Sequence, residues 1–469
     1  MGHHRHKHIS RLLRGFGPLV LFTLLALGST RPLLFYATTK LPIGTSCTVT
    51  VPFFNSWTLW WNADRASNGF ENYWDAPIFF PAKDTFAFSE PQPMTLAVAP
   101  VIWLTDSRTL AYNLYLWISL VLNGLMTYRL LRAIPLGRLS AAVGGATMML
   151  LPIIHWQVDV LQLVPLWGIL WVWSAFLGIA RKPSLPRGME LGIAFTATFY
   201  CSIHHALLLS LLMVGSAWLV ADRWRDLRMR RSLGLSVMIA GGLTAPFAWH
   251  IHHVMTNHQF ERTEEQIKKL AARPVDYLIP HGQVWFDWNI PGARDHWPLG
   301  TGRAVSLLAL VGTIFGLRRR KWRRGTLFFV MISSLGFILS LGLQLRVGSW
   351  QPWQTLCDIV PGLSQVRNVF RFAYFVQMSL VILAAQGFYA LWIWKSVRLG
   401  RTRGKRTFLL AYTLLAMFVV FEVRPHPVVL AEYPDVREHE DWINFIREET
   451  PPHSAIACLP FAPGNLVQD

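Results

Sequence analysis

Apolar runs long enough to cross a bilayer recur along this chain, and nothing else in it constrains the fold so strongly. In hydrocarbon the backbone must satisfy its own N–H and C=O groups, so such runs fold as helices. With a spanning length of ~20 residues as the guide, and shorter runs accepted, spans fall at about 15–37, 109–131, 138–154, 159–180, 188–203, 204–221, 232–252, 303–317, 325–344, 372–394 and 407–422. That makes about eleven transmembrane helices. Charge agrees with this reading. Only 15% of the residues are charged, against roughly 25% in soluble domains. The mean hydropathy is +0.33. The expected fold is an all-α polytopic membrane protein.

The net charge of +18 is compatible with a nucleic-acid partner until its placement is considered. With the N-terminus in the cytoplasm, the cytoplasmic segments hold 27 of the 44 Lys and Arg. Of the 26 Asp and Glu, only Glu190, Asp222 and Asp226 join them there. Every second loop is basic, as in Arg318–Arg324 and Lys395–Arg406. This is the positive-inside pattern, and it sets the orientation as N-in and C-out. The basic loops anchor at anionic head groups, so the partner they imply is the lipid bilayer. Charge that alternates between loops, without forming one stripe, argues against nucleic acid.

The first apolar run also fits a signal peptide, with a basic start, the stretch GPLVLFTLLALG and small residues after it. Hydrophobicity resumes with PLLFYA beyond Arg31, which favours an uncleaved span. Both readings leave the next loop outside. Cys47, Cys357 and Cys458 fall in external segments, where a disulfide is chemically allowed; unpaired thiols are the simpler reading. No spacing marks a metal site. His250, His252 and His253 would hold a metal only if a carboxylate joined them.

The external loops lie at about 38–108, 255–302 and 345–371, all within a transmembrane domain covering 1–422. Phe53 to Pro93 is the densest part. It is rich in aromatic residues and carries the first five carboxylates of the chain, Asp64, Glu71, Asp75, Asp84 and Glu90. Loops of this length without secondary structure are usually functional. WTLWWNADR has the spacing of an interfacial helix, and DAPIFFP and SEPQP are proline turns. MTLAVAPVIWL is short and proline-broken, so it reads as re-entrant or interfacial. HWQVD places His155, Trp156, Gln157 and Asp159 at the outer membrane edge. His204 and His205 sit between two spans and read as helix-end polar residues. The external segment 423–469 offers a helix, DWINFIREE, and a strand-like SAIACLPF, the opening of an α/β domain. Walker, Rossmann and Gly-x-Ser-x-Gly motifs do not occur.

Four stretches taken together resemble bacterial multi-pass proteins of the GT-C glycosyltransferase superfamily. They are WNADR…YWDAPIFFP…FAFSEP, AYNLYLWISLVLNGLMTYRLLRAI, HWQVDVLQLVPLWGILWVW and IVPGLSQVRNVFRFAYFVQMSLVILAAQG, and the resemblance runs from about Asn55 to Gly387. It implies an inner-membrane enzyme moving a sugar from a polyprenyl-phosphate-linked donor to an acceptor on the periplasmic side. One departure matters. The superfamily commonly has an acid soon after the first span, where this chain has Val49, Val51 and Pro52. Either Asp64, Glu71 or Asp75 supplies the base, or transferase activity has been lost.

Such a transfer needs a general base for the acceptor hydroxyl. It also needs cations, or a divalent metal such as Mg or Mn, for the leaving phosphate. Asp75, Glu90 and Asp64 are the candidate bases, Asp75 foremost because Trp74 and Pro77 bracket it. Arg367 and Arg371 are four apart and on a helix would share a face as a phosphate clamp. His155 with Gln157 is a second polar cluster, and Trp74 and Trp156 could stack on sugar faces. Each has a plainer reading: solvated carboxylates, arginines snorkelling to head groups, a structural histidine and an aromatic interface belt. Two rival functions also stand. A transporter of a lipid-linked substrate would need charged residues in mid-span. A catalytically inactive scaffold would explain the missing acid.

Overall fold

Nearly every apolar run of the sequence is helical in the computed structural model, which describes residues 2–44, 50–258, 262–279, 297, 299–360, 362–398, 404–451 and 454–456. Among the described residues, six helices are long and apolar enough to cross a membrane: Arg108–Ala133, Arg138–Trp156, Leu161–Arg181, Leu227–Asn257, Arg320–Ser340 and Val369–Lys395. Ile203–Gly215 and Ala217–Arg223 together make a seventh candidate, bent by 46°. The remaining expected spans correspond to helices too, in Gly2–Ser29, Leu185–Cys201, Arg303–Arg318 and Gly404–Glu422. These fall outside that length-and-hydropathy criterion.

Local chemistry explains where the helices start. Ser107 Oγ accepts from the Leu110 N–H at 3.2 Å ahead of Arg108–Ala133, and Asp226 Oδ1 accepts from the Arg228 N–H at 2.8 Å ahead of Leu227–Asn257. Each satisfies one of the amide donors that a helix N-terminus leaves open. The core lies among Arg138–Trp156, Leu161–Arg181 and Val369–Lys395, whose most apolar windows are mostly buried. Trp173 is fully buried there, edge-on to Phe328 and Phe329. Leu227–Asn257 instead turns Val237, Met238 and Trp249 outward, as a lipid-facing helix does. Arg303–Arg318 and Ala373–Arg398 meet backbone to backbone. A Cβ on Gly312 would stand 1.9 Å from the Leu383 carbonyl oxygen, and one on Gly387 1.9 Å from that of Leu308. Small residues allow this approach between membrane helices.

A two-stranded antiparallel sheet interrupts the all-α expectation. Lys40–Ile43 pairs with Val429–Glu432, Lys40 opposite Glu432, and Lys40 Nζ lies 2.8 Å from Glu432 Oε1. The C-terminal segment is thereby tied to the chain just after the first helix. Its helix, Glu440–Glu449, has no buried residue. Ser454–Ile456 is irregular, and the rest of the expected strand lies outside the described residues. Cys47 and Cys458 also lie outside them, while Cys357 is a free thiol, so it forms no disulfide. WTLWWNADR is helical, within Thr50–Ser67, but it does not simply float in the interface. Asn55, Ser56, Leu59, Trp61 and Asn62 are buried against the bundle.

Candidate active site

The loop after Thr50–Ser67 has little regular structure, so its shape rests on side chains. Tyr73 Oη donates to Asn62 Oδ1 at 2.7 Å. Asn62 Nδ2 in turn donates to the Pro91 carbonyl at 2.7 Å and to Thr95 Oγ1 at 3.0 Å. Gln92 Nε2 donates to Asn55 Oδ1 at 2.7 Å, and Asn55 Nδ2 and Tyr112 Oη both donate to the Asp159 carbonyl at 3.1 Å. A helix, a loop and the buried HWQVD turn are thus knitted into one network. Among the described residues, all non-glycine residues at positive φ fall in this stretch: Phe70, Asn72, Phe79, Asp84, Gln92 and Asp106. Sparsely populated backbone of this kind persists only where the surroundings over-determine it.

The network holds Glu90 in place. Its Oε1 accepts from the His204 N–H at 2.7 Å, and Ser202 Oγ donates to its Oε1 and Oε2 at 3.3 and 3.2 Å. Ser202 is an extended residue between Leu185–Cys201 and Ile203–Gly215, so the carboxylate caps the second of these helices at its positive end. Arg371 is within electrostatic reach of Glu90, His204 and His205. Burial pushes the Glu90 carboxyl above the usual range, and the His204 N–H, Arg371 and Ser202 pull it back only in part. His205 is fully buried, its ring 5.2 Å from that of Tyr374.

A separate open groove of ≈710 Å³ is lined by Tyr73, Trp74, Asp75, Asp84, Tyr200 and Phe247 among others; neither Glu90 nor Arg371 lines it. Trp74 stacks on His250 with ring centroids 4.2 Å apart, and His250 Nε2 lies 3.1 Å from Asp84 Oδ1. The carboxylate that the three-histidine stretch lacked is therefore supplied by Asp84. Even so, among the described residues no three His, Cys, Asp or Glu side chains converge where a metal ion could sit.

The other predicted residues are placed differently from the expectation. Asp75 is exposed and braces its own turn, accepting from the Asp84 N–H at 2.9 Å with Lys83 Nζ 3.7 Å away. Asp64 is held by its neighbour Arg65, whose guanidinium lies 4.6 Å from the Trp61 ring. Glu71 is exposed. Arg367 and Arg371 do not share an α-helical face. Leu363–Gln365 and Val369–Phe372 are separate 3-10 turns, with extended Val366 between them, and the α-helix begins at Ala373. Arg367 is exposed and feels Arg262 as its charged neighbour, whereas Arg371 belongs to the Glu90 cluster. His155, Trp156 and Gln157 are buried in the core, away from the exposed edge. A His155 ring nitrogen meets the Met149 carbonyl at 3.1 Å, Gln157 Oε1 accepts from Tyr374 Oη at 3.3 Å, and Trp156 packs on Trp297 and Phe370. Trp156 has no free face for a ligand, while Trp74 lines the groove. Ser202, Asn62 and Gln92 were not singled out in the sequence; Asn62 and Gln92 flank carboxylates in WNADR and SEPQP, the only signal that pointed to them.

Fold and site define a helical protein with membrane-capable helices, a half-buried, cation-flanked carboxylate and a separate aromatic groove. No family model matches the chain, and no curated protein matches it either.

Proposed function

We propose that this chain is an inner-membrane glycosyltransferase of the GT-C kind. It moves a sugar from a polyprenyl-phosphate-linked donor to an acceptor on the periplasmic side of a bacterial membrane. Its helices make about eleven crossings, N-in and C-out. The observation that carries the proposal is Glu90, a half-buried carboxylate fixed by the His204 N–H and Ser202 Oγ with Arg371 in electrostatic reach.

In this reading Glu90 takes the proton from the acceptor hydroxyl. The acceptor oxygen bonds to the anomeric carbon as that carbon's bond to the phosphate oxygen breaks, with inversion. The electron pair leaves on the lipid phosphate, and Arg371 stabilises the developing charge. Trp74 and Tyr73 offer ring faces to the sugar or acceptor. The phosphate charge is assigned to Arg371.

The test is turnover of radiolabelled polyprenyl-phosphate-linked sugars by the purified, reconstituted chain. Wild type should transfer label and Glu90→Gln should lose about a hundredfold or more in rate. Full activity in Glu90→Gln would move the base elsewhere. No turnover by wild type with any lipid-linked sugar would sink the transferase reading and leave the inactive scaffold.

A further inference from the structure

An apolar groove of ≈500 Å³ runs along three helices and shares no lining residue with the candidate active site. It extends from Leu21 to Gly28 on Gly2–Ser29, from Leu139 to Leu150 beside Arg138–Met149, and from Thr413 to Val420 on Gly404–Glu422. Along each helix the lining recurs at three- and four-residue steps, so the groove follows the helix axes. The stretch Leu139 to Leu150 rises about 16 Å at ~1.5 Å per residue. The hydrocarbon core is ~30 Å thick, so this is the depth of about one leaflet. Leu24 and Met417 on its walls are more than half exposed, as residues against lipid are.

One end of the groove is cationic. Arg31, Arg424 and His426 line it where the first and the Gly404–Glu422 helices finish. Among the described residues neither Arg31 nor Arg424 pairs with a carboxylate. Arg31 is exposed, and Arg424 lies over the Phe421 ring at 6.0 Å, with its apolar stem against the groove wall. Two guanidiniums at the mouth of a leaflet-deep apolar slot call for a ligand with an anionic head and one apolar chain of leaflet length. A polyprenyl tail would overrun the slot; an acyl chain would not.

We propose that this groove binds an anionic glycerophospholipid of the outer leaflet, with one acyl chain along Leu139–Leu150 and the phosphate between Arg31 and Arg424. The site is separate from the proposed transferase centre and does not depend on it. Gly28 offers a clean probe. It lines the groove, and a Cβ added there would meet nothing within 4 Å, so a side chain can start at this position and Gly28→Leu puts its bulk into the slot.

The experiment purifies the full chain from vesicles of equal phosphatidylglycerol and phosphatidylcholine and counts retained lipid by native mass spectrometry. Wild type should retain phosphatidylglycerol over phosphatidylcholine by about thirtyfold, as expected for two basic residues at an anionic head group. The double variant Arg31→Gln/Arg424→Gln should lose the preference. Gly28→Leu should lose the retained lipid while its thermal unfolding matches wild type. The control Arg318→Gln/Arg320→Gln, on a basic loop of the opposite face, should behave as wild type. Equal retention of the two lipids by wild type overturns the proposal, as does undiminished retention in Gly28→Leu. So does an equal loss of preference in the control, which would mean general surface attraction, or displacement of phosphatidylglycerol by added polyprenyl phosphate.

Discussion

A carboxylate that abstracts a proton works better the harder it holds one, and that makes Glu90 a more capable base than the exposed Asp75. Burial raises the Glu90 carboxyl above its ordinary range, which for a free glutamate is ~4.3. The acidic limb of the transfer rate should therefore lie above that of an ordinary glutamate and vanish in Glu90→Gln, as a pH–rate series would read. Stability carries the opposite sign. Between the ordinary and the raised value the folded chain binds more protons than the unfolded one, so stability falls as pH rises through that window. Glu90→Gln should flatten that slope in a thermal-melt series. Asp75→Asn should keep most activity, because an Asn oxygen can still accept from the Asp84 N–H; loss of activity there would return the base to Asp75. Arg371→Gln should weaken donor use far more than Arg367→Gln, and equal effects would undo the assignment to the Glu90 cluster. Glu90 and Arg371 were both legible as residues in the sequence. Their association was not, because Ser202 and His204 lie 112 and 114 positions from Glu90, and no local pattern encodes such a contact. Trp74 and Pro77 do lie beside Asp75, but the turn they help make exposes its carboxylate.

Among elements, the closest approach described is that of Arg303–Arg318 to Ala373–Arg398. Gly312→Val or Gly387→Val would drive a side chain into a carbonyl of the facing helix. Overpacking of this kind costs about 1–3 kcal/mol, so either variant should lower the melting temperature in detergent; an unchanged melt would mean the two helices slide freely. The helices themselves were readable from hydrophobic runs, because the bilayer permits few alternatives. The break at Ser202 was readable too, within two residues, as the boundary between spans 188–203 and 204–221; the 3-10 turns before Ala373 were not. Those turns lie in a polar stretch holding Gln365, Arg367 and Asn368, where no apolar periodicity marks the helix start. The spacing argument for Arg367 and Arg371 failed for that reason: a four-residue step means a shared face only where the helix already exists.

For the whole molecule, the alternation of basic loops makes a topological prediction. Reporter fusions at Ser184, Arg228, Trp322 and Gly404 should report cytoplasm, and those at Asn68, Arg273 and Glu438 the exterior. Two or more reversals would reject the orientation. The sheet of Lys40–Ile43 with Val429–Glu432 puts the ends of the first and the Gly404–Glu422 helices on the same side, so fusions after each should report alike. That pairing was invisible in the sequence, since four-residue strands carry too little periodicity to be told from loop. It also sets an order of events. Lys40–Ile43 emerges early in synthesis, and its partner follows only after nearly all the other helices have been made. Until then the early strand presents open amides to whatever lies nearby. The first helix, already packed through Phe22 beside Gly124 and Gly145, gains this second tie only once the intervening helices exist, so the clasp closes late in synthesis.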